Sequence, residues 1–199
     1  FSQYEGVPGS GEIFTVHEAG GYIWAGTDGG LARGDENGFA VVDAALTSGG
    51  FQAEQVTDIQ HLGESLYLAT DEGVYALDLS GSIVDPGSWS LDPSSQPLGI
   101  QELLVQSADS LFGYGSGGVS LRIGGSWDRL LDYSSSSDSV VTGLLMTEDG
   151  LIASARVAII FDGSNWIHYG TDYPVESYGS FLAEVNGRIW CGYGLSSAS

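Results

Sequence analysis

Lysine is absent from the 199-residue chain, and five arginines stand against 26 Asp and Glu, a formal charge of −21. A chain this acidic repels phosphate backbones and anionic lipid surfaces, so nucleic acid and anionic membranes are excluded as expected partners. Cysteine occurs once, at Cys191. A lone thiol permits neither an intrachain disulfide framework nor a thiolate zinc site, and beside Trp190, with no cationic neighbour to lower its pKa, it reads as a small core residue. No apolar run approaches the roughly 18 residues that cross a bilayer as a helix, so direct membrane insertion is not expected. The chain opens at Phe1 without a basic or apolar leader, which reads as the cut end of a processed or longer protein. Helical patterning is missing too, because nowhere do apolar residues recur at i, i+3, i+4 and i+7 over three turns.

What the chain does have is 31 Gly, 42% hydrophobic and 11% aromatic residues, enough to bury a core in one domain. It also repeats itself. The segment Ile23-Trp24-Ala25-Gly26-Thr27-Asp28-Gly29-Gly30-Leu31 returns as Leu66-Tyr67-Leu68-Ala69-Thr70-Asp71-Glu72-Gly73-Val74 and as Leu111-Phe112-Gly113-Tyr114-Gly115-Ser116-Gly117-Gly118-Val119. Looser copies run from Leu151 to Ile159 and from Ile189 to Tyr193. The spacings of 43, 45, 40 and 38 residues fall in the range of about 40 to 50 typical of propeller blades.

Each anchor segment has the surroundings of four short strands. An apolar stretch precedes it (Ile13 to Val16, Val56 to Ile59, Ile100 to Val105, Val141 to Met146, Phe181 to Val185), joined to it by tight turns such as Gly20-Gly21 and Asn186-Gly187. A third strand follows the anchor. A fourth opens on an aromatic: Phe39, Trp89, Trp127 or Trp166. The expected fold is all-β, a five-bladed β-propeller of four-stranded antiparallel blades over residues 11–48, 54–92, 99–133, 140–170 and 178–199 plus 1–5. The N-terminal strand Phe1-Ser2-Gln3-Tyr4, similar to Trp166-Ile167-His168-Tyr169, is expected to complete the last blade. A β-sandwich is the runner-up packing, and an open fragment of a larger ring is the alternative to closure.

The anchors resemble the two-component-regulator propeller repeat of bacterial sensors, an apolar pair and a turn followed by a segment like "lWigT-x-x-Gl". Ile13 to Leu31 is the closest match, Val56 to Val74 is a good one, and Ile189 to Tyr193 keeps the Ile-Trp core. Gly115 and Ala155 replace the Thr in the third and fourth copies. The resemblance implies an extracytoplasmic ligand-sensing domain or a module of a surface protein, in a family whose rings usually have more than five blades. The acidic, lysine-free composition also suits an exported protein, so an extracellular, cell-surface or periplasmic location is expected.

In a blade, the turn between strands two and three emerges on the same face as the connection to the next blade, the usual ligand side. That face is expected to carry Thr27, Asp28, Thr70, Asp71, Glu72, Ser116, Arg156 and Tyr193. The connection near residues 170–179 adds Tyr169, Asp172, Tyr173, Glu176 and Tyr178, an aromatic and acidic set suited to stacking on sugars or packing on a partner's loop. The expected function is a non-catalytic binding or structural module for protein or glycan partners, assembling with other subunits or domains. His17, His61 and His168 lie in different repeats at no metal-ligand spacing. No cofactor is expected, although bound calcium, high salt or a basic partner would relieve the self-repulsion of so acidic a surface. The enzymatic alternative is a glycosidase with two carboxylates about 5 to 9.5 Å apart, for which Asp58 and Glu102 on inner strands, with Asp28 and Asp71, are the candidates. A sensor domain of a two-component regulator is the third reading.

Overall fold

The first hairpin shows how this sequence makes strands. Gly20 and Gly21 take φ of 61° and 79°, the positive values that a two-residue turn needs to match strand twist. They join β1 (Ile13–Ala19) to β2 (Tyr22–Thr27), which continues through β3 (Gly30–Asp35) to β4 (Gly38–Val42) in the order β1-β2-β3-β4. The computed structural model describes residues 9, 12–132, 141–148, 150–154, 158–161, 165–168, 178–186 and 188–194, without the side chains of 158–159, 168, 178–181 and 191–194.

The same antiparallel meander recurs. β5 (Val56–Leu62), β6 (Ser65–Thr70), β7 (Gly73–Asp78) and β8 (Trp89–Asp92) form the second sheet. β9 (Ile100–Ser107), β10 (Ser110–Gly115), β11 (Gly118–Ile123) and β12 (Ser126–Asp132) form the third. β13 (Gly143–Thr147), β14 (Gly150–Ser154), β15 (Ala158–Phe161) and β16 (Trp166–His168) form the fourth, and β17 (Tyr178–Val185) pairs with β18 (Arg188–Gly194). Two short 3-10 turns, Pro86–Ser88 and Gln96–Leu98, are the helical pieces among the described residues. The protein is all-β, and each first strand, anchor strand and aromatic-led outer strand falls where the repeat places it. The N-terminal strand expected to complete the last blade lies outside the described residues.

Successive sheets pack face to face with their first strands side by side, β1 on β5, β5 on β9 and β13 on β17. Alternation along the anchor strand explains how. Trp24 points into one cluster with Leu66, Leu68 and Leu77 of the second sheet; Tyr67 and Ala69 point the other way, into a cluster with Leu103 and Leu111 of the third. Phe112 and Tyr114 then meet Leu144, Leu151 and Ala153 of the fourth. The first anchor residue therefore faces the preceding sheet and the second the following one, as period-two geometry requires.

The outer-strand aromatics close the same joints. Trp89 tilts against Phe51 with ring centroids 5.1 Å apart, and the Trp166 indole N–H donates to the Leu130 carbonyl of the preceding sheet at 2.9 Å. The two terminal sheets differ from the inner ones. Leu66, Leu111 and Leu151 are at most 2% exposed, but Ile23 at the equivalent position is 43% exposed. Likewise Tyr67, Phe112 and Ile152 are at most 8% exposed and Trp190 is 58% exposed, with Ile189 beside it at 42%.

Candidate binding face and inner-strand carboxylates

The β2–β3 and β6–β7 turns are built alike. The Thr27 hydroxyl donates to the Gly30 carbonyl (3.0 Å) and accepts from the Gly29 N–H (3.1 Å). The Thr70 hydroxyl does the same with Gly73 (2.7 Å) and Glu72 (3.2 Å). Both threonines are buried, so their hydroxyls serve the turn rather than a ligand. Thr70→Val keeps the shape and removes both bonds. It is expected to lower the unfolding free energy by about 1 to 2 kcal/mol in urea titrations; an unchanged midpoint would contradict this role.

The aspartates that follow tie each turn to neighbouring chain. The Asp71 carboxylate accepts from the Gln55 N–H at 3.0 Å, and its own N–H donates to the Gln55 carbonyl at 3.3 Å. The Asp28 N–H donates to the Glu12 carbonyl at 3.2 Å. Glu72 accepts from the Tyr75 hydroxyl at 2.8 Å; burial first, then this carboxylate, pushes the Tyr75 pKa up to about 12. Between the first sheet and the connection to the second lies a groove of about 440 Å³. Asp28, Asp43 and Glu54 line it together with Val42, Phe51 and Ala53, so acidic groups share the groove with an apolar floor on the face where the β2–β3 turn emerges.

A second cluster sits on the first strands. Asp58 accepts from the Thr15 hydroxyl of β1 (3.2 Å), the Ile59 N–H (2.8 Å) and the Leu103 N–H of β9 (2.8 Å). One carboxylate thus joins three successive sheets. Thr57 adds a bond from its hydroxyl to the Gln101 carbonyl of β9. Burial raises the Asp58 pKa despite these donors. Glu102 accepts a short hydrogen bond from the Tyr114 hydroxyl. Its pKa is raised by desolvation of the carboxylate and, to a smaller extent, by the Asp58 charge, although the residue keeps an exposed flank. Burial and then Glu102 push the Tyr114 phenol upward as well.

Both acids bind their proton more tightly folded than unfolded. Their contribution to stability is therefore complete below the ordinary values of 3.8 and 4.5 and is lost as pH rises through the raised folded values. The melting temperature is expected to climb on acidification from pH 7 toward about pH 5, and to climb less in Asp58→Asn. A steady fall in calorimetric scans over that range would contradict this.

Arg156, Tyr169, Asp172, Tyr173 and Glu176 lie outside the described residues. Tyr178 and Tyr193 sit on the paired strands β17 and β18, opposite Gly194 and Gly179, and their side chains are outside the described set. No group of three His, Cys, Asp or Glu among the described residues is placed to hold a metal ion. Sequence reasoning placed Asp58 on an inner strand but missed its partners Thr15 and Leu103. The available signal was register: Thr15, Asp58 and Leu103 each stand eight residues before their anchor, so a lone carboxylate at that position lies between two equivalent strands.

No protein-family model matches the chain, and no curated protein matches it in sequence. Solved structures do match. The extracellular domain of BT4673 from B. thetaiotaomicron, described as a one-component system, superposes with a TM-score of 0.69 at 16% identity, over 96% of this chain and 27% of that one. Another structure of that domain, described there as a hybrid two-component system, gives a TM-score of 0.55 at 14% identity over 97% and 32%. PorZ, a bacterial surface component of the type-IX secretion system of Porphyromonas gingivalis, gives 0.56 at 14% over 91% and 23%. The chain thus spans about a quarter to a third of these neighbours' length. S. cerevisiae Nup159 in complex with Dbp5 and Gle1 gives 0.56 at 14% over 92% and 53%. With its meandering four-stranded sheets stacked through their first strands, the chain has a propeller-type β fold, shared with extracellular domains of bacterial signalling systems.

Proposed function

We propose that the chain is a non-catalytic, extracytoplasmic propeller module that docks a partner protein through the face carrying the β2–β3 and β6–β7 turns. The observation that carries this reading is the groove in which Asp28, Asp43 and Glu54 accompany a floor of Val42, Phe51 and Ala53. Apolar floor and acidic rim together suit a basic, aromatic-bearing segment of a protein surface. The fold neighbours support the setting, being extracellular domains and a secretion-system surface component. Nup159 supports a protein partner, having been solved in a complex with other proteins. A glycan partner and a ligand-sensing role within a longer chain remain within the same reading of the face.

Five blades closed by the N-terminal strand complete the proposal. Ile23 of the first sheet and Trp190 of the last are exposed where the equivalent inner residues meet a neighbouring sheet, so these two faces do not cover one another in this structure, and closure of the ring would bury both. The glycosidase alternative has in its favour the raised pKa values of Asp58 and Glu102. Against it, both Asp58 oxygens already accept hydrogen bonds from protein donors, which suits a structural tie better than an acid or nucleophile facing substrate.

Titration of the whole chain with acetyl-Arg-Trp-Arg-amide tests the groove. Saturable binding that weakens about tenfold or more in Asp28→Asn/Glu54→Gln is expected; equal binding by both would remove the groove from the proposal. Release of reducing ends from a polysaccharide, abolished by Glu102→Gln, would overturn the non-catalytic reading.

A further inference from the structure

Arginine is the one cation in a chain with 26 acidic residues, and two of the described arginines have found carboxylates. Arg122 lies 3.6 Å from Asp92, and Arg129 lies 2.8 Å from Asp132. Arg33 has not. Half-buried on β3, it stacks over the Tyr22 ring with its guanidinium carbon 4.3 Å from the ring centroid. Among the described residues its guanidinium makes no ion pair or hydrogen bond. A planar cation with five donors, partly desolvated and held over an aromatic ring, is preorganised to receive a carboxylate.

Arg33 opens onto a groove of about 590 Å³ between the first sheet and the β7–β8 connection of the second. Leu46, Leu79, Ile83 and Val84 supply apolar wall, and Ser82, whose hydroxyl makes no side-chain hydrogen bond among the described residues, supplies a free polar group. Val84 is 49% exposed. The size lies within the roughly 300 to 1,000 Å³ of ligand sites. The groove shares no lining residue with the Asp28 groove and does not depend on the function proposed for it.

We propose that this groove is a second docking site, for an extended peptide that presents a single carboxylate beside an apolar side chain. The carboxylate pairs with Arg33, and the apolar side chain covers Leu79, Ile83 and Val84. One carboxylate rather than an acidic run follows from the charge of −21, whose field repels a polyanion at long range while a short ion pair at a stacked guanidinium survives it.

The test is calorimetric titration of the whole chain with acetyl-Leu-Glu-Leu-amide and with its neutral twin acetyl-Leu-Gln-Leu-amide. The glutamate peptide is expected to bind at least about tenfold more tightly. Arg33→Gln is expected to erase that difference, and Val84→Trp, at an exposed position that leaves Arg33 intact, to block both peptides. Asp28→Asn/Glu54→Gln is expected to leave both affinities unchanged, which separates this site from the first. Equal affinities in the parent chain, or no saturation by either peptide, would overturn the proposal. So would discrimination retained by Arg33→Gln at an unaltered melting temperature. Displacement of the glutamate peptide by equimolar glucuronate would overturn the peptide assignment in favour of an acidic sugar.

Discussion

Asp58→Ala is expected to lower the unfolding free energy by about 2 to 5 kcal/mol, one of the two largest effects of single substitutions considered for this chain. The carboxylate satisfies the N–H groups of Ile59 and Leu103, both buried, and the hydroxyl of Thr15. Truncation leaves those donors without an acceptor at a joint between three sheets, and each buried orphan costs about 1 to 3 kcal/mol. Asp58→Asn separates charge from hydrogen bonding. Its amide oxygen replaces one acceptor, its NH₂ group cannot accept from the remaining N–H, and the desolvated charge is gone. The loss expected is therefore smaller, about 1 to 2 kcal/mol. Urea unfolding followed by tryptophan fluorescence reads both. An alanine variant as stable as the parent would show that the carboxylate does not tie the strands.

Phe51→Ala is expected to cost about 3 to 5 kcal/mol. Phe51 belongs to no strand; it lies in the connection between the first two sheets, yet it is 1% exposed. Its ring meets Tyr75 edge-on at 5.0 Å and Trp89 at 5.1 Å, so truncation opens a cavity where two sheets and their connection meet. The same ring floors the Asp28 groove, and the variant is also expected to lose the basic peptide. Phe51→Leu restores most of the volume and is expected to recover all but about 1.5 kcal/mol. A loss below about 1 kcal/mol for the alanine variant would mean that the connection is not part of the core.

Both residues show how far the sequence reaches. The strands were legible because period-two alternation, Gly-Gly and Asn-Gly turns and a spacing near 43 residues are local signals that repeat. Asn186 takes φ of 54°, as its turn dipeptide anticipates. The outer aromatics Trp89, Trp127 and Trp166 were also visible as strand markers, but their role as joint closers needs the neighbouring sheet. Phe51 carried no signal, because a single apolar residue in a Gly- and Ser-containing connection has no period to betray its burial.

The candidate site divides in the same way. Thr27 and Thr70 stood out as repeated polar residues on the expected ligand face, yet their repetition reflects turn chemistry, since each hydroxyl satisfies two backbone groups of its own turn. Asp28 does line a groove there, while Asp71 is engaged by Gln55. Arg33 was not singled out at all. What distinguishes it is a half-buried guanidinium held over Tyr22 with no ion pair among the described residues, and only folding decides which of 26 acidic residues come near a given cation.

The most direct test of the account is a distance between the first and last sheets. Spin labels at Glu18→Cys on β1 and Glu184→Cys on β17, in a Cys191→Ser background, report it by pulsed electron resonance; both positions are exposed. Sheets packed face to face sit about 10 Å apart, so wedges closed around one axis predict a narrow distribution near about 10 to 20 Å. Five sheets laid in a row would place the labels about 40 Å apart, and that result would contradict the closed ring.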